Sequence, residues 1–458
     1  MAHALPRGRA ARSAKLGTFA AAQAAREIGR RLSVVGRTEE ARRVLAEESS
    51  LRTAQQLVAV LGALKGSAMK LGQMASVLDL DFVPESHRER FRQQFATLRD
   101  NAPAIDFNRI RPVIEADLGP LATTFAEFDP TPTAAASIGQ VHRAILHDGR
   151  VVAVKAKYPG VDAAVAADID NLEFLARMAK SVLPSIADSA LLGEVARNLT
   201  AELDYLREAE IQHRIAAQYR GHPFITVPDT ILSLCGPNVL VSEFVDARPF
   251  NDLRTMPPAD RAHYGELIYR FYLSRMFQER EFCGDPHPGN ILLTHDGRLA
   301  FLDFGLYHEM DATHVEFERS CMIAAIDGRA DDLYAAWVGR GIIDPTSAVT
   351  PAETLEYVWA VAGWHLLDEE IEVSPATATA ALLLAADPRS TRFDAVHRQL
   401  LPHEHVFSRR ADLFTFATLG QLNVRTNWHR IAREWLYDEA PTTPVGQAIA
   451  RWRTRLGD

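Results

Sequence analysis

The chain has 458 residues, 47% of them hydrophobic and 24% charged, a composition typical of globular proteins and not of disordered or fibrous ones. Its net charge of −9, with no dominant basic stripe, argues against nucleic acid as the main partner. The three cysteines, Cys235, Cys283 and Cys321, are far apart, so the sequence predicts neither a disulfide framework nor a zinc site and favours a reducing compartment.

Residues 1–38 form a basic tail with eight Lys or Arg residues, one acidic residue and many alanines. Because the tail has no apolar core, a secretory signal is not predicted. A basic helix on an anionic membrane surface, a partly disordered tail and a transit peptide all fit this composition. No apolar run in the chain reaches the roughly 18–20 residues that span a bilayer, so we predict a cytoplasmic protein, without a transmembrane segment, that can lie peripheral to a membrane.

Residues 39–120 are predicted to form a helical extension, and its last helix should cover 106–118 and end at Gly119 and Pro120. The extension contains KLGQ at 70–73. Lys70 and Gln73 are three residues apart, so they lie on one face of a helix.

Residues 121–247 are predicted to form a kinase-like small lobe. Strands are expected at 138–146, 150–157 and 238–245, and the long segment 160–220 should be a mostly helical insertion. The strand at 150–157 carries Lys155 in an Ala-Val-Lys motif, which taken alone would describe an ordinary surface lysine.

Two downstream motifs change that interpretation. GDPHPGN at 284–290 places Asp285 five residues before Asn290, and LAFLDFG at 299–305 brings a hydrophobic strand into Asp303. Protein kinases combine these spacings with an upstream lysine to bind and transfer phosphate. The sequence therefore predicts a site for ATP or ADP with Mg²⁺.

Each residue has a physical role in that site. Lys155 would pair with the nucleotide phosphates, and Glu208 would hold this lysine by an ion pair. Asn290 and Asp303 offer the oxygen ligands that Mg²⁺ prefers, and Asp285 is the candidate base or water-orienting group. With a mainly helical lobe over 248–458, the expected fold class is α+β: a two-lobed protein kinase-like fold with an N-terminal helical extension.

The motifs differ in detail from those of ordinary protein kinases. The catalytic loop has no His-Arg before its Asp, AAASIGQVH at 134–142 replaces a glycine-rich loop, and ELDYLREAE follows at 202–210. Together with KLGQ, these motifs resemble the UbiB-like (ABC1/ADCK-type) atypical kinase family over roughly residues 55–310.

The resemblance implies further site residues. The phosphate loop would comprise Ala134, Ala135, Ala136, Ser137 and Gly139, and the hinge-like segment would place Glu243 and Val245 beside the nucleotide. Lys70 and Gln73 would close over the pocket, where Lys70 would meet Glu202 and Asp204.

Glu202 and Glu208, on one continuous helix, would lie about 120° apart and would not share a lysine. Two departures from the family pattern are Ile211, where a hydrogen-bonding Asn is common, and Ser242, which is small for a position beside adenine.

The resemblance implies an ATPase or phosphotransferase in isoprenoid-quinone or other membrane-lipid metabolism, with an anionic membrane and a lipid or quinone-like ligand as partners. The alternative is a nucleotide-gated pseudokinase that scaffolds a membrane complex. A small-molecule kinase of the antibiotic-phosphotransferase kind is a third hypothesis, against which KLGQ and the alanine-rich loop argue.

Overall fold

The structure is a computed structural model that describes residues 105–136, 138–167, 169, 197, 200–284, 286–378 and 403–456. Lys70, Gln73, Ser137 and Asp285, with the predictions for the tail and most of the helical extension, lie outside the described residues. The chain divides into two compact units. The first includes the described residues up to Arg143 and Lys155–Asp204, and the second includes Ala144–Val154 and the chain from Tyr205 onward.

The first elements follow the sequence closely. Helix α1 (Phe107–Leu118) begins after Asp106, whose side chain accepts a hydrogen bond from Asn108 N, and it ends at Gly119, as predicted. Gly119 has φ 75°, a left-handed conformation that glycine adopts without a steric penalty. Ile110 and Ile114 form the buried face of α1, and the short helix α2 (Leu121–Thr124) leads into the first strand.

The strands of the described residues lie in four sheets. Their bounds are β1 (Phe125–Ala135), β2 (Gly139–Leu146), β3 (Val151–Lys157), β4 (Ile225–Thr226), β5 (Val239–Glu243), β6 (Ala247–Pro249), β7 (Glu281–Cys283), β8 (Ile291–Thr294), β9 (Leu299–Phe301), β10 (Tyr307–Glu309), β11 (Ile371–Val373) and β12 (Val424–Thr426). The sheets have the orders β1-β2-β3-β5 and β4-β9-β8-β6, with β7 paired to β10 and β11 to β12.

The predicted strands at 138–146, 150–157 and 238–245 correspond to β2, β3 and β5. Strand β1 was not predicted, because Pro130 and Pro132 interrupt its sequence. It lies at the edge of its sheet, where a residue without an N–H group need not break the hydrogen-bond ladder.

The second unit is mainly helical, as expected, and the α+β kinase-like fold class is confirmed. Its helices are α3 (Tyr205–Gln218), α4 (Asn251–Arg254), α5 (Pro258–Tyr269), α6 (Arg275–Gln278), α7 (Ala312–Ile326), α8 (Ala330–Gly339), α9 (Pro351–Leu366), α10 (His403–Leu422), α11 (Trp428–Leu436) and α12 (Pro444–Leu456).

A π-helical turn, Arg270–Ser274, joins α5 to α6, so the chain is continuously helical through the centre of this unit. The Phe271 ring on this turn stacks on Phe301 of β9, with ring centroids 3.6 Å apart. The hydrophobic core therefore joins the central helix directly to the strand that leads into Asp303. In the part of the chain that the structure describes, no helix is both long and apolar enough to cross a membrane.

One local prediction is wrong. Glu202 and Glu208 do not share a continuous helix, because residues 202–204 form a turn and α3 begins at Tyr205. The amides of Leu203 and Asp204 bond to carbonyls three residues back, as in a turn. The 120° separation calculated for a single helix therefore does not apply.

Candidate functional site

The β8–β9 hairpin positions two of the predicted site residues. Ile291 pairs with Phe301 in antiparallel register. Asn290 directly precedes β8 and Asp303 comes two residues after β9, so both lie at the same end of the hairpin. Leu302 N donates to Asn290 O at 3.0 Å. Asn290 Nδ2 also donates to Asp303 Oδ2 at 3.2 Å, which brings the predicted metal-binding amide and carboxylate into contact.

Glu208 belongs to the same cluster. It lies in the first turn of α3 and is 2% exposed. A methyl group on Gly305 would lie 3.6 Å from Glu208 Oε2 and 3.5 Å from Asp303 Oδ1, so both carboxylates border this glycine. Asp303 Oδ1 accepts a hydrogen bond from Gly305 N at 3.1 Å. The second unit thus assembles Glu208, Asn290 and Asp303 around Gly305.

Arg207, which is not one of the predicted site residues, contacts this segment too. Its Nη1 donates to Gly305 O at 3.3 Å and its Nη2 to Tyr307 O. The only signal in the sequence is a basic residue next to Glu208, and a basic residue on a helix surface is too common to indicate a site.

The chain on either side of Asp285 is well anchored, although Asp285 itself lies outside the described residues. Gly284 N donates to Leu306 O at 2.8 Å, and Pro286 O accepts from Thr418 Oγ1 of α10 at 3.1 Å. His287 Nδ1 accepts from Gly289 N, which closes the turn before Asn290. Cys283, which precedes Gly284, is buried.

The residues after Asp303 are held in the core. Phe304 is fully buried, and its ring lies 5.3 Å from that of Tyr307. Burial raises the pKa of the Tyr307 hydroxyl well above its ordinary value, so this side chain stays neutral in the core. The Asp-Phe-Gly segment is therefore fixed on both sides, by packing and by hydrogen bonds.

The hinge-like segment follows β5. Glu243 N donates to Asp229 O, and the Glu243 carboxylate accepts from Asp229 N at 3.0 Å. Glu243 is exposed, Val245 is half-buried, and Ser242 is buried in an isolated bridge with Thr230. The Glu243 carboxylate therefore organises the preceding loop, and the contact of Glu243 and Val245 with a nucleotide stays a prediction.

The first unit contains the other predicted nucleotide residues. Lys155 is half-buried on β3, and the neighbouring Lys157 is buried, with Nζ 3.2 Å from Asp162 Oδ1. Ala134 and Ala135 form the exposed end of β1. Ala136 N donates to Gly139 O at 2.8 Å, a bond between two residues of the predicted phosphate loop.

A buried polar pair on β2, Gln140 and His142, follows Gly139. Gln140 Oε1 accepts from Ile105 N at 3.0 Å, and His142 Nδ1 donates to Asp129 O at 2.9 Å. Gln140 Nε2 donates to His142 Nε2. Burial lowers the pKa of His142, which keeps the ring neutral, as these bonds require. The Gln and His of GQVH therefore tie β2 to β1 and to the chain entering α1.

Glu202 and Asp204 lie in the turn before α3. Glu202 is 8% exposed, whereas Asp204 is exposed. Lys70 lies outside the described residues, so its contact with Glu202 and Asp204 stays a prediction, as does the pairing of Lys155 with Glu208.

The oxygen ligands at the end of the β8–β9 hairpin suit the predicted Mg²⁺. Asp303 and Asn290 supply carboxylate and amide oxygens, which suit Mg²⁺ shared with phosphates and water. Among the described residues, no group of three or more His, Cys, Asp or Glu could hold a metal ion by itself. Two protein ligands suit a cation that a nucleotide brings with it.

Comparison with known proteins gives concordant matches. The family model described as "ABC1 atypical kinase-like domain" matches residues 97–336. The chain is similar to AarF domain-containing protein kinase 1 of Mus musculus (35% identity over 56% of this chain and 50% of that protein) and of Gallus gallus (29% over 90% and 82%). It also resembles "Atypical kinase coq-8, mitochondrial" of Caenorhabditis elegans (32% over 60% and 37%).

The match to the mouse relative covers only about half of that protein's length. A solved structure, the Rv3197–erythromycin complex from Mycobacterium tuberculosis, matches with a TM-score of 0.61 and 27% identity. The match covers 85% of this chain and 97% of that one.

Proposed function

Because the chain belongs to the ABC1 atypical kinase-like family, whose model matches more than half of it, we propose that it binds ATP or ADP with Mg²⁺ and hydrolyses ATP or transfers its γ-phosphoryl group. The observation that carries this proposal is the cluster of Glu208, Asn290 and Asp303 around Gly305. A structural role alone does not require a carboxylate and an amide side by side at the end of a hairpin.

Each residue contributes to positioning and charge. Asp303 and Asn290 would hold Mg²⁺, which neutralises phosphate charge when bound. Lys155 would pair with the α- and β-phosphates, and Glu208 would hold that lysine extended. The backbone of 243–245 would receive the adenine, and the turn closed by Ala136 and Gly139 would cover the phosphates.

The chemical step needs one further group. In hydrolysis, a water oxygen forms a bond to the γ-phosphorus while the bond to the bridging oxygen breaks and ADP leaves. Asp285 would orient the water and accept its proton. In transfer, a hydroxyl of a small lipid-like or quinone-like acceptor would take the place of water.

The membrane part of the proposal rests on other grounds. The basic tail 1–38 would draw the protein to an anionic surface, where lipid or quinone-like acceptors are concentrated. The resemblance to UbiB-like kinases, and the similarity to a mitochondrial atypical kinase, support a role in isoprenoid-quinone or other membrane-lipid metabolism. Erythromycin, named with the M. tuberculosis structure, is a further ligand to include in a binding titration.

The decisive experiment measures ATP hydrolysis by the purified protein, with and without Mg²⁺ and with neutral or anionic vesicles. We expect Mg²⁺-dependent turnover that anionic vesicles increase and that is lost in Asp285→Asn, which should still bind ADP. A protein lacking 1–38 should lose vesicle binding at low salt but keep its basal turnover. Nucleotide binding with turnover no greater than that of Asp285→Asn would favour the pseudokinase scaffold instead.

A further inference from the structure

Helix α3 is fastened to the segment after Asp303 by one side chain. Arg207 is half-buried, and its two terminal nitrogens reach different carbonyls, Gly305 O at 3.3 Å and Tyr307 O at 2.5 Å. The fixed fork of a guanidinium fits two acceptors at once and so restricts both translation and rotation of the helix.

The same segment is held from its other side by the backbone. Leu306 O, between the two carbonyls bound by Arg207, accepts from Gly284 N at 2.8 Å. Gly305 and Leu306 lie in a turn that leads into β10, and Tyr307 N donates to Phe304 O at 3.3 Å across it. The carbonyls of three consecutive residues are thus bonded in turn to Arg207 of α3, to Gly284 just after β7, and to Arg207 again, so the side chain and the backbone together fix this turn.

This arrangement links the two carboxylates of the site. Glu208 follows Arg207 on α3, and Asp303 precedes Gly305 by two residues. A shift of α3 relative to 305–307 would move Glu208 away from Asp303. We propose that Arg207 is a positioning residue that keeps Glu208 and Asp303 in register, and this effect on turnover rests on the proposed function.

Arg214 provides a matched control. It lies seven residues further along α3, about two turns away and on nearly the same face. Both arginines line one cavity of about 590 Å³, yet Arg214 makes its salt bridges to Glu281 and Glu309. Its replacement removes the same charge from the same helix without touching the two carbonyls.

The test compares Arg207→Gln, Arg207→Lys and Arg214→Gln. Turnover number and KM for Mg²⁺-ATP are measured, together with the thermal midpoint and amide hydrogen exchange of a peptide covering 303–309. For Arg207→Gln we expect a fall in turnover of about 10- to 100-fold with KM within about threefold, since small misplacements of catalytic groups have effects of this size. Exchange in 303–309 should be faster.

The control and the conservative variant complete the test. Arg207→Lys should be intermediate, because an ammonium is a point charge without the two-pronged geometry. Arg214→Gln should stay within about threefold of wild type in turnover, and exchange in 303–309 should rise less than in Arg207→Gln, since Arg214 contacts only Glu309 at the end of that peptide. If Arg207→Gln does not fold, the lysine variant carries the comparison.

The two proposals fail in different ways. Equal turnover in Arg207→Gln and Arg214→Gln, or unchanged exchange in both, would overturn the role of Arg207. If the wild-type protein neither binds nor hydrolyses nucleotide, the proposed function fails. Faster exchange in the Arg207 variants alone would then still support the coupling of α3 to the Asp-Phe-Gly segment.

Discussion

Replacing Asp303 by Asn tests the metal site with little effect on the fold. The Asp303 carboxylate accepts two hydrogen bonds, from Gly305 N at 3.1 Å and from Asn290 Nδ2 at 3.2 Å. In Asp303→Asn, the amide oxygen can keep the bond to Gly305, while the new NH₂ group faces that of Asn290. Rotation of the Asn290 amide would present its oxygen and restore the bond, so the free energy of unfolding should fall by about 1 kcal/mol or less.

The effect on the cation should be much larger. Removing the charged partner of a buried, hydrogen-bonded pair costs about 2–5 kcal/mol, and about 3 kcal/mol corresponds to a factor of about 100 in affinity. Asp303→Asn should therefore weaken ADP binding about 100-fold in the presence of Mg²⁺ and change it little when Mg²⁺ is chelated. Calorimetric titration with ADP measures this without interference from turnover.

A charge swap sharpens the test. The double variant Asp303→Asn with Asn290→Asp returns the lost carboxylate to the neighbouring position and reverses the hydrogen bond between the two side chains. If both side chains face one cation, Mg²⁺-dependent affinity should recover to within about tenfold of wild type. Unchanged Mg²⁺ dependence in Asp303→Asn would refute the reasoning, and so would a ligand-free thermal midpoint that falls by more than about 5 °C, which would indicate a structural role.

Three further outcomes are expected. Ala136→Gly should raise the affinity for ATP relative to ADP and allow autophosphorylation, because glycine gives the backbone of the phosphate loop more conformational freedom. Nucleotide titrations measure the two affinities, and radiolabel incorporation measures autophosphorylation. An unchanged ratio of affinities without incorporation would mean that the alanine only packs against its neighbours. Lys70→Ala and Glu202→Ala should each alter turnover, but their combination should be strongly non-additive, and simple additivity in the same ATPase assay would contradict direct pairing. Gly446→Ala should destabilise the protein by about 1–3 kcal/mol in urea unfolding, because the new methyl would clash with Nη2 of the buried Arg270. The control Gly363→Ala, in the last turn of α9 with its nearest neighbour at 3.8 Å, should be stabilising by up to about 1 kcal/mol. Equal stability of the two glycine variants would show that α12 yields at this contact.

Much of the local structure could be predicted because its causes are local. Gly119 and Pro120 end α1 where the sequence indicates, since one adopts a left-handed conformation and the other cannot continue a helix. The alternation of apolar residues predicts β2 and β3 within about one residue. Where a local rule misled, tertiary context had the larger effect: the prolines of β1 are tolerated because that strand lies at a sheet edge.

At residues 202–204, the sequence predicts a helix and the structure has a turn. The acidic residues of ELDYLREAE fit a single helix by propensity, yet the helix begins only at Tyr205, whose side chain is fully buried. Helix propensity is a weak preference that tertiary context overrides.

The sequence by itself determined the family motifs, their order along the chain and the identities of the candidate ligands, because chemistry requires particular side chains at particular spacings. Only the tertiary structure decided which of them meet and what holds them. The β8–β9 register brings Asn290 to Asp303. Arg207 reaches carbonyls 98 and 100 residues further along the chain, a contact that no local pattern encodes, because it depends on where the packed core places two distant segments.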